Sequence, residues 1–247
     1  MAKRYTLFYN HRNIITYEPT HIIEYYAVYR TGKIPDSWKK GEVVLITKRP
    51  PATNIENQRP LTLISCISKL LTKIIAARLS RVVESSGLVN DSQYGFRRGR
   101  CCADGLYVLN SALETNKMAN RGTHLLFVDL KAAYDLVSRS KLIAILRTMN
   151  FPSVFINFLK NYYQGDSIIS GSAGCWTKEQ FQERGLRQGC NLSSVLFIIY
   201  MVSLAKRLDR TRCGVKVGRK LINHIFFADV SILKSNIFNE YSFKFND

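Results

Sequence analysis

Apolar positions recur along this chain with the 3.6-residue period of helices over several stretches. Between residues 20 and 31, four apolar side chains fall on one helical stripe, and Gly32 follows as a stop. The clearest helical pattern covers residues 70–83 at steps of three and four, with Gly87 predicted as its C-terminal cap. Further helices are predicted over residues 103–118, 133–149, 152–163 (with Pro152 in the first turn) and 192–207.

Shorter apolar runs have the length of strands. They are predicted at residues 42–47, 124–129, 167–170 and 180–184. Residues 221–233 carry an apolar half on each side of Ala228 and Asp229, which predicts a hairpin with the acid at its tip. Residues 48–60, rich in Pro and Asn, and residues 185–190 are predicted as loops. Because regular helices do not separate the strands, the pattern favours an α+β fold over a doubly wound parallel sheet.

The charge of the chain limits its partners. Its 247 residues contain 36 Lys and Arg against 18 Asp and Glu, which gives a formal net charge of +18. With 46% hydrophobic residues, the composition supports a folded core. A folded unit this basic favours a polyanionic partner, most simply nucleic acid. A basic structural or ribosome-associated protein has the same charge, so composition leaves that alternative open.

Composition also bears on the compartment. The longest apolar stretch, residues 195–205, is about half of the ~20 residues that a membrane-spanning helix needs. The N-terminus lacks the continuous apolar run of a secretory signal. Six cysteines form no C-x-x-C pair and four histidines are scattered, so we expect no zinc site and reduced thiols. The prediction is an intracellular protein, nuclear or cytoplasmic and not secreted.

Two of the apolar runs are each followed directly by an aspartate. Asp129 follows Leu-Leu-Phe-Val, and Asp229 follows Ile-Phe-Phe-Ala. A carboxylate beside such residues is costly to bury without a cation or hydrogen-bond donors. If the two strands are neighbours, a divalent metal would relieve the repulsion of the two carboxylates, and oxygen ligands suit Mg²⁺ or Mn²⁺. The alternatives are that Asp129 caps a helix starting near Ala132 and that Asp229 is only a turn residue.

Six segments, in order, resemble the reverse transcriptase domain of non-LTR (LINE-like) retrotransposons, from about Ile34 to Ser235. They are IPDSWKKGEVVLITKRP, NQRPLTLISCISKLLTKIIAARL, LVNDSQYGFRRGR, FVDLKAAYD, GLRQGCNLSSVLF and FFADV. FVDLKAAYD resembles the family's first catalytic motif, and FFADV stands where the family has FADD. The resemblance implies a right-hand polymerase with fingers and a palm that has an antiparallel sheet and packed helices.

The resemblance also implies a role for individual residues. Asp129 and Asp229 would be the catalytic metal ligands for Mg²⁺ or Mn²⁺, with help from the Leu130 carbonyl. The residues implied at the incoming deoxynucleoside triphosphate are Lys48, Arg59, Tyr134, Gln188 and Gly189. Arg97, Arg98 and Arg100 would follow the phosphates of the RNA template and DNA primer. Without that context, Tyr134 reads as a core aromatic, Gln188-Gly189 as an ordinary turn, and the five cations as solvated charges.

This sequence departs from the family at several positions. Val230 occupies the second Asp of FADD, Gln58 replaces an aromatic residue, and Asn191 and Ser194 replace two prolines. The chain ends soon after FFADV, so the thumb is expected to be missing and the copy to be truncated. The expected division is an N-terminal lead-in (1–33), a fingers-like part with the first palm helix (34–123), a palm (124–235) and an irregular tail (236–247).

Three functions remain open on the sequence alone. The first is an RNA-directed DNA polymerase with impaired activity, in which two metal ions support nucleotidyl transfer to a primer 3′-hydroxyl. The second is a catalytically inactive nucleic-acid-binding remnant of the same fold. The third is an RNA-folding role like that of intron maturases, although the motifs are nearer to the LINE-like group.

Overall fold

The computed structural model of the chain describes residues 19–47, 57–172, 175–211, 213–228 and 230–235. Seven helices and ten strands lie in these ranges. The helices are α1 (Pro19–Thr31), α2 (Asp36–Lys39), α3 (Cys66–Ser86), α4 (Cys102–Met118), α5 (Arg139–Thr148), α6 (Ser153–Tyr163) and α7 (Asn191–Asp209). The strands are β1 (Lys40–Thr47), β2 (Gln58–Leu63), β3 (His124–Asp129), β4 (Ser167–Ser172), β5 (Cys175–Trp176), β6 (Gln180–Phe181), β7 (Val215–Val217), β8 (Lys220–Ile222), β9 (His224–Phe227) and β10 (Val230–Ser235).

One sheet has the strand order β2-β1-β4-β5, with β6 also paired to β4. β1 and β2 run antiparallel, so that Ile46 faces Arg59. β1 and β4 are parallel, which is the one parallel strand pair among the sheets that the structure describes. Pro60 fits in β2 because β2 is an edge strand, where a missing backbone N–H breaks no ladder bond.

A second sheet has the order β3-β10-β9, and both strand pairs are antiparallel. In the register of this sheet, Val230 is the Cα partner of Asp129 on β3 and of Phe227 on β9. The end of β3 therefore meets the turn between β9 and β10. A third pair, β7 with β8, forms a short hairpin just before β9.

The core centres on α7. Eleven of its side chains are buried, and it packs against α3 and α5, while α1 packs against α6. In the part of the chain that the structure describes, α7 is long and apolar enough to cross a membrane by length and composition, but 61% of its most apolar stretch is buried in the protein. That burial is the pattern of a core helix.

Most predicted elements are confirmed, and four predictions are corrected. The helix predicted from residue 133 begins at Arg139, because residues 131–136 form turns and Ser138 is the N-cap that starts the helix. Pro152 is the N-cap of α6, since its ψ of 138° is extended. In the range 180–184 only Gln180–Phe181 pairs as a strand. The loop predicted over residues 48–60 gives way to β2 at Gln58.

Candidate active site

Asp129 lies at the exposed end of β3, opposite Val230 on β10. The described residues offer its carboxylate no hydrogen bond and no ion pair. It does not cap a helix: the next helix starts at Arg139, and its N-cap is Ser138, whose hydroxyl accepts from the Lys141 backbone N–H. Asp229 lies outside the described residues, between Ala228 and Val230 in the chain.

The turn that precedes β10 is held by a buried glutamine. Gln93 is 2% exposed, and its Oε1 accepts hydrogen bonds from the backbone N–H of Gly95 and of Ala228, at 2.9 and 3.2 Å. A Cβ on Gly95 would lie 2.2 Å from the Ala228 nitrogen, so only glycine allows this approach. Gln93 was not among the predicted site residues, although its place in SQYGFRRGR was a signal that could have found it.

Tyr134 is half-buried after the turns that follow β3. Its ring stacks on Phe197 of α7, with centroids 5.1 Å apart and planes at 11°, and meets the edge of Phe96 at 6.3 Å. Its backbone carbonyl accepts from the Leu186 N–H at 2.8 Å, which joins this segment to the loop of residues 185–190. The ring packing of Tyr134 and this backbone hydrogen bond together position the segment after β3 against that loop.

The loop that carries Gln188 and Gly189 rests on β2. The Gln188 carbonyl accepts from the Thr62 N–H at 2.7 Å, while its side-chain amide donates to both oxygens of Asp135 at 3.1 and 3.2 Å. Gly189 has a φ of 119°, and a Cβ there would lie 2.5 Å from the Thr62 carbonyl oxygen. The glycine therefore permits close contact between this loop and β2.

A buried network of charged side chains holds the loop of residues 185–190 in place. Asp166 is fully buried between Arg139 and Arg187, whose guanidinium nitrogens approach its two oxygens at 2.6 and 2.5 Å. Arg187 also donates to the carbonyls of Trp38 and Lys39 at the end of α2, directly before β1, both at 2.9 Å. Although burial disfavours its charge, the Tyr162 hydroxyl and the Asp166 carboxylate hold the pKa of Arg187 above its usual value.

No sequence pattern predicted this network. Asp166 and Arg139 lie outside the quoted motifs, and only the position of Arg187, directly before Gln188, offered a signal. Because two arginines share one carboxylate and several backbone carbonyls, all the buried charges have partners. The network joins α2, α5, α6 and the loop of residues 185–190.

The predicted cations have different surroundings. Lys48 lies outside the described residues, and of Arg59 only the backbone is described, in β2. Arg98 is exposed, and Arg100 pairs with Asp91 at 2.7 Å and stacks over Tyr94.

Arg97 corrects the prediction. Its side chain is 3% exposed and forms a fork onto Glu84 at 2.9 and 2.6 Å, while its remaining nitrogen donates to two backbone carbonyls. These hydrogen bonds lower the pKa of the Glu84 carboxyl, chiefly through Arg97. Because all three of its nitrogens are engaged and its side chain is buried, Arg97 is not available to a phosphate and instead fixes the turn that contains Gln93.

The described residues contain no group of three or more His, Cys, Asp or Glu side chains placed to hold a metal. Asp129 nevertheless fits a hard cation, because its carboxylate is exposed and unengaged among the described residues, and oxygen is the ligand that such ions prefer. The adjacent Leu130 packs its side chain against the core, which fixes the backbone beside this carboxylate.

Comparison with known families identifies the chain. Residues 46–239 match the family model described as reverse transcriptase (RNA-dependent DNA polymerase). The chain belongs to the reverse transcriptase family. It is 30% identical over 82% of its length to the Pol polyprotein of the type-2 retrotransposable element R2DM of Drosophila melanogaster, and 24% identical over 86% to the polymerase of the mobile element jockey of Drosophila funebris. These similarities confirm the resemblance to non-LTR retrotransposon reverse transcriptases.

The chain spans about a fifth of the length of those relatives, 19% and 23% respectively. Solved telomerases share the fold of this reverse transcriptase. Apo telomerase from Candida tropicalis superposes with a TM-score of 0.56 at 11% identity, over 88% of this chain and 44% of that one. Telomerase from Candida albicans in complex with a fragment of telomeric RNA gives a TM-score of 0.53 at 12% identity, over 87% of this chain and 42% of that one. The predicted α+β polymerase fold is confirmed.

Proposed function

We propose that this chain is an RNA-directed DNA polymerase domain of a retrotransposon protein, with activity impaired by Val230. The observation that carries the proposal is the register of β3 against β10, in which Asp129 faces Val230 at the end of the β9–β10 hairpin. This register puts Asp129, the first acid of FVDLKAAYD, next to the turn that FFADV spans. Two carboxylates in such an arrangement are what a polymerase needs at its metal site.

Asp129, Asp229 and the Leu130 carbonyl would hold the divalent ions, which the reverse transcriptase family uses in general. Mg²⁺ is our proposal for this chain, with Mn²⁺ as a substitute. When bound, two such ions stabilise the attacking 3′-hydroxyl oxygen and the leaving pyrophosphate oxygen. Protein side chains in such a site mainly position the reactants and neutralise charge.

The segment around Tyr134 and the loop with Gln188 and Gly189 would form the nucleotide pocket. The stacked Tyr134 ring is fixed by Phe197, so it offers a flat surface to a sugar and would disfavour a 2′-hydroxyl. The backbone of Gly189 can approach a base because no side chain intervenes. Lys48 and Arg59 would meet the triphosphate, with Arg59 forking onto two oxygens and Lys48 acting as a point charge.

We propose an RNA template and a DNA primer as the partners, which family membership and the net charge of +18 support. Arg98 is exposed for phosphate contact, and Arg100 could contribute by exchanging Asp91 for a phosphate. The described cysteines Cys66, Cys101, Cys102, Cys190 and Cys213 form no disulfide bond with one another, and we propose a reducing location, in the nucleus or cytoplasm.

Val230 weakens the proposed site. Its side chain is 38% exposed beside Asp129, where the family has a second aspartate. Valine supplies no oxygen, so the site has one negative charge and one metal-binding group fewer. A rate loss of order 10²-fold is expected for such a damaged metal shell.

The test is extension of a DNA primer on an RNA template with deoxynucleoside triphosphates and Mg²⁺ or Mn²⁺. We expect slow extension by the unmodified chain, extension about 10²-fold faster by Val230→Asp, and none by Val230→Asp combined with Asp129→Asn. Fast extension by the unmodified chain would refute the impairment. Failure of Val230→Asp to extend would refute the polymerase site.

The second candidate, an inactive nucleic-acid-binding remnant, is favoured by the same apolar Val230. It predicts RNA binding that weakens steeply with salt, without nucleotide incorporation in either variant.

A further inference from the structure

Positive charge concentrates on one surface at some distance from the candidate active site. Residues 206–220 contain seven Lys and Arg and a single acid, a formal charge of +6, which is one third of the +18 of the whole chain. Of these cations the structure describes six, all with exposed side chains: Lys206, Arg207, Arg210, Lys216, Arg219 and Lys220. We call these six residues the basic end.

The basic end is one continuous region of the fold. The first three residues lie at the C-terminal end of α7 and the other three in the β7–β8 hairpin. Asn223, just after β8, donates to the Leu208 carbonyl at 2.7 Å and so ties the hairpin to the helix end. The turn with Asn90 and Asp91 lies against both parts, because Asn90 bonds Asp209 and Asp91 pairs with Lys220.

Almost none of this charge is neutralised within the described residues. Lys220 pairs with Asp91 at 3.3 Å, and the other five cations have neither an ion pair nor a side-chain hydrogen bond there. Cations in the last turn of α7 also stabilise the helix dipole, which is a sufficient reason for Lys206 and Arg207. The dipole does not account for Lys216 and Arg219, which lie on a hairpin.

The basic end is separate from the proposed nucleotide pocket. α7 begins at Asn191, directly after the loop with Gln188 and Gly189, and Lys206 lies fifteen residues further along, about 23 Å at 1.5 Å per residue. The hairpin precedes β9, whose His224 lies at the end of the sheet away from Asp129. At about 3.4 Å per nucleotide of one strand, the separation corresponds to about seven nucleotides.

We propose that the basic end is a second binding site for the phosphate backbone of nucleic acid, distinct from the cleft around Asp129. The proposal deepens the proposed function and rests on it for the choice of nucleic acid among polyanions. Unpaired, exposed cations at several adjacent positions bind phosphates by releasing counterions, without reading sequence. A strand engaged in the cleft would reach the basic end after about seven nucleotides, which would strengthen the hold on longer substrates.

The test measures binding of a fluorescently labelled single-stranded RNA to the full chain at several KCl concentrations, without divalent ions. The variant is Arg210→Gln with Lys216→Gln and Arg219→Gln. Its matched control, with the same loss of three charges from exposed positions on α5 and α6, is Lys141→Gln with Arg147→Gln and Lys160→Gln. We expect the slope of log affinity against log salt to fall by about 2 for the variant and to stay unchanged for the control.

Several other results of these experiments would decide against the proposal. Equal losses in the two triple variants, or no loss in the first, would overturn the proposal. If the first variant lost binding to vesicles of anionic lipid while keeping its affinity for RNA, the basic end would be a membrane site and the proposal would be wrong. Photocrosslinking of RNA to the unmodified chain is expected to mark residues 206–220, and crosslinks confined to other segments would contradict it.

These outcomes are separable from the proposed function. Primer extension by Val230→Asp tests the cleft, whereas the salt slope tests the basic end and requires no catalysis. Thermal unfolding of both triple variants controls for folding, and an unchanged midpoint is expected because all six altered side chains are exposed.

Discussion

Asp166 and Asp129 are both part of the polymerase architecture, but their surroundings are opposite. Asp166 is fully buried and shared by Arg139 and Arg187, in a network that reaches the backbone of α2 and the loop of residues 185–190. Asp129 lies exposed at the end of β3, an edge strand of the second sheet, without a side-chain partner among the described residues. Asp166 stabilises the fold through this network, which we call the frame. The carboxylate of Asp129 is left available to bind a ligand.

The residues that stabilise the fold are therefore different from those that we propose for the metal site. The frame around Asp166 positions the loop with Gln188 and Gly189 whether or not a metal is bound. The edge with Asp129 and Val230 is exposed and contributes little to the core, so a substitution there is expected to leave the fold intact. Under our proposal, this domain could therefore lose a metal ligand without losing its structure.

The strongest test of this comparison is to replace each of the two acids by asparagine. Asp166→Asn leaves two buried guanidinium groups with too little negative charge, so the free energy of unfolding should fall by about 3–5 kcal/mol. Asp129→Asn should change it by no more than about 0.5 kcal/mol, because the residue is exposed and unpaired. Denaturant unfolding of both variants provides the measurement. Equal changes in the two would contradict the division between frame and site.

The two neighbouring arginines of SQYGFRRGR extend the comparison on a smaller scale. Arg97→Gln removes the buried fork onto Glu84 and should lower stability by about 1–3 kcal/mol. Arg98→Gln should leave stability unchanged and weaken RNA binding, since Arg98 is exposed. Unfolding curves and RNA titrations of the pair would show the two effects. Loss of RNA affinity in a stably folded Arg97→Gln would refute our assignment.

The smallest expected effect concerns His224, which is buried at the start of β9 between Ser92 and Asn223, at 2.6 and 2.7 Å, with Asp209 3.8 Å away. Burial lowers the pKa of His224, although the Asp209 charge opposes the shift. The folded state therefore binds the proton less readily than the unfolded state, and stability should fall as pH drops below about 6.5.

The check is denaturant unfolding between neutral and mildly acidic pH. His224→Gln should remove this part of the pH dependence, whereas the same change at the exposed His124 should keep it. A pH profile that is identical in the unmodified chain and in His224→Gln would contradict the assignment.

The apolar pattern predicted the long elements of this fold well, because burial follows one face of α3 and covers nearly every side of α7. The stripe of α3 and the apolar run of α7 are examples, and Gly87 caps α3 in the left-handed conformation as predicted. The pattern failed at residues 133–138, where the chain forms turns after the left-handed Ala132 and the helix begins only after its N-cap Ser138. The edge strand β2 was partly missed because Pro60 suggested a loop.

Site residues were predicted from motifs, and motifs name residue types rather than environments. They could not distinguish the buried Arg97 from the exposed Arg98, because burial depends on Glu84, thirteen residues away. Asp166 was missed because its partners come from α5 and from the loop before α7, and no local pattern joins them. The division into residues 1–33, 34–123, 124–235 and 236–247 stays a prediction.

The central claim is that Asp129, next to the turn before β10, is a ligand of a divalent ion. Titration with Mn²⁺, followed by electron paramagnetic resonance, tests it without requiring catalysis. We predict that Val230→Asp tightens Mn²⁺ binding by about 10-fold or more, and that adding Asp129→Asn removes the gain. Mn²⁺ binding that is the same in the unmodified chain, in Val230→Asp and in the double variant would contradict the claim.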